Sequence, residues 1–143
     1  MLSIQQRYKA LFSQVSPAPL ATLRIVTGIV MLIGTLRFWY LGWIETNLIN
    51  AQIQFKYAYF EWVSLPSNPT FLYAVFALMA LASIGMVLGY YYRLSAWLLW
   101  CAFTYIELLD LTWYLNHYYF ISLLLLLLAL LPVHRYLSLD VYF

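Results

Sequence analysis

The residues in this sequence best suited to chemistry are an amide–imidazole pair and a few charges set among apolar neighbours. Asn116 and His117 close the run Asp110-Leu-Thr-Trp-Tyr-Leu-Asn116-His117-Tyr-Tyr. An imidazole changes charge near neutral pH, so it can serve as acid, base or metal ligand. Asp110 lies seven residues before His117, so two helical turns align them and a helix break brings them closer. Two readings of His117 stand side by side: a catalytic group, or a structural histidine at a membrane interface. The other histidine, His134, falls at the opposite end of the next apolar run, so no metal site is expected. There is no Ser-His-Asp elbow, no glycine-rich phosphate loop and no Cys-x-x-Cys; the single Cys101 excludes an internal disulfide.

Four further charges sit in or beside apolar runs. Arg24 and Arg37 belong to the first run, Glu107 and Asp110 to the end of the third. Ionisable groups inside a bilayer are costly and usually face the interior of a bundle. At 1.5 Å per residue, Arg37 lies about 25 Å along its helix from Leu20, and Glu107 about 20 Å from Ser95. In antiparallel helices these groups reach similar depth. A pairing of Arg37 with Glu107 or Asp110 is expected, either as part of a site or as a structural salt bridge that sets register. Arg24 has no partner at its depth and is expected to snorkel toward the headgroups. Gly85 and Gly89 form Gly-x-x-x-Gly, a spacing that lets helix backbones approach closely; packing inside the bundle is expected ahead of dimerisation.

The elements that must position these residues follow from composition. Of 143 residues, 66% are hydrophobic and 8% charged, against about 25% charged in a soluble domain. So few charges cannot coat a soluble globule, so the lipid bilayer is the expected partner. A net charge of +2, thinly spread, gives no reason to expect nucleic acid. The apolar runs predict an all-α, polytopic four-transmembrane-helix bundle in one domain, with spans at about 20–40, 70–91, 95–113 and 114–131. Residues 1–16 predict an interfacial amphipathic helix: Ile4, Tyr8, Leu11, Phe12 and Val15 share one face. No cleavable signal peptide is expected, and the first span reads as an uncleaved anchor. Arg7, Lys9, Arg93 and Arg135 fall on one side of a four-span arrangement, so both termini are predicted cytoplasmic, in a bacterial inner membrane. The long loop 41–69 then faces outward. Its aromatic residues, including Trp43, Phe55, Phe60 and Trp62, suit the headgroup level, and the loop is expected to fold back onto the bundle.

Several stretches, in order, carry a resemblance. They are Leu23-Arg-Ile-Val-Thr-Gly28, Arg37-Phe-Trp with Gly42-Trp-Ile, Phe55-Lys-Tyr with Phe60-Glu-Trp-Val63, and Leu88-Gly-Tyr-Tyr-Tyr-Arg93. Then come Tyr105-Ile-Glu-Leu-Leu-Asp110, Leu115-Asn-His-Tyr-Tyr-Phe120 and Ser138-Leu-Asp140. The chain resembles the horizontally transferred transmembrane (HTTM) family, bacterial relatives of vitamin K-dependent gamma-carboxylase. The resemblance implies a quinone site, with reduced vitamin K or a menaquinol-type quinone as cofactor and a lyase-like carboxylation of glutamate. It implies that His117 positions or protonates the quinone oxygen and that Asn116 orients it. The family's base is a lysine beyond the Ser-x-Asp stretch, in a Gly-x-x-Lys-like context. Neither Lys9 nor Lys56 matches it, so the expectation is an incomplete module, with a second polypeptide carrying the rest. A weaker resemblance, to small four-helix proteins of the DoxX type, implies a non-enzymatic subunit or quinone-linked accessory protein instead.

Overall fold

The computed structural model describes residues 16–51, 55–113, 115–133 and 137–141. Their regular structure is entirely helical. Four longer helices follow one another: α1 (Ala18–Tyr40), α2 (Pro69–Leu88), α3 (Tyr92–Leu109) and α4 (Asn116–Leu130). A π-helical turn (Ile44–Ile49) follows α1, and 3-10 turns cover Leu111–Trp113 and Leu139–Val141. Two of these helices, α1 and α2, are long and apolar enough to cross a membrane; α4 is equally apolar but has 15 residues. Residues 1–15, which carry almost all of the amphipathic helix expected at the start, lie outside those described, as do His134 and Arg135.

Prolines and polar caps set where the helices begin. Pro17 and Pro19 open α1, where a missing amide proton costs nothing. Asn68 caps α2, its Oδ1 accepting from the Thr70 amide at 2.9 Å, with Pro69 in the first turn. The stops are equally local. Gly89 ends α2 in the left-handed region at φ +66°, which is a glycine conformation. The second helix therefore stops at Leu88 rather than running to residue 91. Asp110 ends α3 with an extended backbone, at φ −150° and ψ 122°. The third helix thus closes at Leu109 rather than 113, and its start moves back to Tyr92.

Successive helices pack antiparallel. Phe38 stacks on Phe76 at 5.1 Å near the end of α1 and the start of α2, whereas Arg24 lies 5.7 Å from the Tyr92 ring at the other end. The Thr104 and Ser122 hydroxyls meet at 3.0 Å, joining α3 to α4 halfway along. All four helices contribute to one core, with Met31, Met79, Leu99 and Leu125 among its buried members. A second cluster seats the long loop. Ile44, Leu48 and Val63 are buried with Leu72, Phe76 and Leu109. The loop folds back as expected, held by these aliphatic residues, while Phe55, Phe60 and Trp62 remain exposed.

Candidate functional site

Asn116 and His117 are the first two residues of α4, and both are exposed. Leu115 precedes them with an extended backbone, so the helix starts abruptly and lifts both side chains to its rim. The His117 ring meets the Tyr118 ring edge-on, 4.5 Å between centroids. Among the described residues neither polar side chain has a hydrogen-bond partner, which leaves an amide and an imidazole free to bind something else.

Asp110 serves this corner from below. It is buried, and its Oδ1 accepts from the Phe55 amide at 3.2 Å and the Thr112 amide at 2.9 Å. The Leu111 amide donates to the Phe55 carbonyl at 2.7 Å. A buried carboxylate needs such donors. Asp110 Oδ1 is thus committed to backbone amides, and it ties the α3–α4 turn to the long loop.

The pairing expected for Arg37 does not form with either acid. Its guanidinium lies over the Trp43 ring, 5.2 Å from the centroid, a cation–π contact across the turn at Leu41–Gly42, where Gly42 has φ +68°. Glu107 faces a half-enclosed cavity of about 160 Å³ between the four helices. Among the described residues no hydrogen bond or ion pair engages its carboxyl.

The densest polar constellation lies at the opposite end, around Arg24. Instead of snorkelling, Arg24 is fully buried and its Nη2 donates to the Leu137 carbonyl. Its Nε and Nη1 have no hydrogen-bond partner among the described residues. Ser138 Oγ donates to the Gly89 carbonyl at 2.6 Å, and the Asp140 amide donates to the same oxygen at 3.1 Å. The Asp140 carboxylate accepts from the Tyr91 and Tyr92 amides, each at 2.8 Å. Those are orphan donors at the start of α3, and a carboxylate there also meets the positive end of the helix dipole. The Tyr92 hydroxyl donates to the Leu128 carbonyl at 2.6 Å. This buried node went unread in the sequence, although Arg24, Gly89 and Ser138-x-Asp140 each belong to a stretch that carried the resemblance.

The two glycines of Gly-x-x-x-Gly prove to have different neighbours. A side chain at Gly85 would overlap the Ser95 hydroxyl, so Gly85 admits α3. One at Gly89 would overlap Ser138 and lie 2.7 Å from Arg24 Nη1, so Gly89 admits the segment after α4. No group of three or more metal-ligating side chains occurs among the described residues.

Among the described residues the regular structure is helical, and two of the helices have the length and apolar composition of membrane spans, which is compatible with a membrane protein. The HTTM domain family matches residues 12–143, and the chain belongs to that family. No solved structure matches it.

Proposed function

We propose that all four helices cross the bilayer, with both termini cytoplasmic, and that the Asn116–His117 end is a gamma-carboxylase-like, quinol-handling site. The outward faces of the two shorter helices support the crossing. Leu94 and Trp97 of α3, and Phe120, Leu123, Leu127 and Leu130 of α4, are exposed apolar residues. Apolar surface in such a continuous band is what lipid covers and water does not. Antiparallel packing then puts the starts of α1 and α3 on the side of Arg93, and Asn116 and His117 on the other.

The observation that carries the site is the family match, together with two unpartnered polar side chains at the rim of α4. The donor set fits a quinol. The Asn116 amide can both donate and accept at one ring oxygen, and the His117 imidazole can hold or move its proton. A reduced quinone, when bound, supplies the reducing equivalents. Asp110 is a positioning residue, holding the turn that presents the pair. Lys56, the one lysine among the described residues, donates to the Glu61 carbonyl at 2.8 Å in the long loop. It does not stand where the resemblance places the family's base, which lies beyond the Ser-x-Asp stretch. That favours a second reading, in which this chain is the quinol-binding subunit and a second polypeptide brings the base.

Menaquinol titrated into the purified chain tests the site through quenching of tryptophan fluorescence. Saturable quenching that weakens in His117→Ala and Asn116→Ala is expected. An unchanged response in both variants would remove the assignment. Epoxidation of the quinol by the purified chain, lost in His117→Ala, would remove the second reading.

A further inference from the structure

We infer that the cavity facing Glu107 is a binding site for a small organic cation with a ring-sized apolar body. Asn116 and His117 are not among its lining residues, so the inference does not rest on the quinol reading. The cavity is about 160 Å³ and draws its walls from all four helices. An apolar cavity of about 150 Å³ holds a benzene molecule, so this half-open one seats the ring of a guest while the rest of the guest extends through its open side.

The chemistry of the walls sets its charge. Two aromatic pairs flank the space: Phe38 on Phe76 at 5.1 Å, and Phe103 edge-on to Tyr118 at 6.1 Å. Between them stands Glu107, and no lining residue is basic. The neighbouring Thr35 hydroxyl is already spent on the Met31 carbonyl at 2.7 Å. The one cation in reach along α1, Arg37, is turned away onto Trp43. An acid amid aromatic faces, with no counter-charge supplied by the described residues, is complementary to an ammonium group. A carboxylate can pair its charge, and an aromatic ring attracts a cation that reaches its face. The two sources of such a group are a free amine or quaternary ammonium, and the choline head of a lipid.

Gly34 gives the test a second handle. A side chain built there meets nothing within 4 Å, so α1 tolerates a larger residue that fills the space. The full chain is reconstituted in phosphatidylglycerol nanodiscs and titrated with benzyltrimethylammonium by equilibrium dialysis. Neopentylbenzene, its uncharged isostere, is titrated in parallel, and circular dichroism checks that helix content is kept. One saturable cation site is expected, weakened about tenfold or more in Glu107→Gln and lost in Gly34→Leu. Uptake of the uncharged isostere should not change in Glu107→Gln. Competition by added phosphatidylcholine assigns the guest to the lipid headgroup, and its absence assigns a free cation. Cation uptake equal in Glu107→Gln, or no saturable uptake by the unaltered helical chain, overturns the proposal. Should Glu107→Gln fail to fold, uptake that survives Gly34→Leu overturns it alone.

Discussion

Gly89 carries more constraint than any other single residue described. Its φ of +66° lies where a Cβ is strained, and the Ser138 hydroxyl and Arg24 Nη1 crowd the place a side chain would occupy. Gly89→Ala is expected to destabilise the chain by about 1–3 kcal/mol, measured as a shift in denaturant unfolding in detergent. Gly34→Ala is the control, because its side chain meets open space, and it should shift the curve little. Arg24 is a case where local reasoning fails. Its depth near the start of α1 predicts an extended side chain reaching for headgroups. Leu137 lies 113 residues away, and nothing in the neighbourhood of Arg24 announces that carbonyl. Arg37 fails for a related reason. Depth matched it to Glu107, but an aromatic ring six residues on reached it first.

At the scale of elements, the starts of α1 and α2 were legible and that of α3 was not. Pro17, Pro19, Asn68 and Pro69 are local signals, and helices begin at each. Apolar runs alone could not separate Leu109 from Trp113, because Leu111 and Trp113 continue the run while Asp110 takes its carboxylate to Phe55 and Thr112. The start of α3 has no side-chain cap of its own. Asp140 supplies one from 48 residues later in the chain, so no spacing rule finds it. Asp140→Ala should therefore behave as loss of a helix cap. It should cost about 0.5–2 kcal/mol and raise hydrogen exchange at the amides of Tyr91 and Tyr92. Asn68→Ala should cost a similar amount but raise exchange at Thr70 instead. If both variants loosen the same amides, the two caps are not independent and this assignment is wrong. The candidate pair Asn116–His117 was legible by residue type and motif; its freedom from partners was not, since that depends on where Asp110 spends its oxygens.

For the whole molecule, the composition made an apolar helical protein legible, and the family match agrees with it. Orientation in the bilayer is testable directly. With Cys101 replaced by Ser, a cysteine at Glu61 should react with membrane-impermeant maleimide on intact cells. A cysteine at Leu139 should react only after permeabilisation. The reverse pattern would invert the arrangement and move Asn116 and His117 to the cytoplasm. Packing is mainly between consecutive helices, and the stretch from Leu137 to Val141 also reaches back to α1 and to the α2–α3 turn. That reach has a consequence for how the molecule is made. Because a chain is synthesised from its N-terminus, the third helix emerges before the aspartate that will seat its first turn exists. That buried node is therefore fastened last, and a ribosome that stalls before Leu137 leaves a product in which Arg24 and the first turn of α3 lack the groups that hold them.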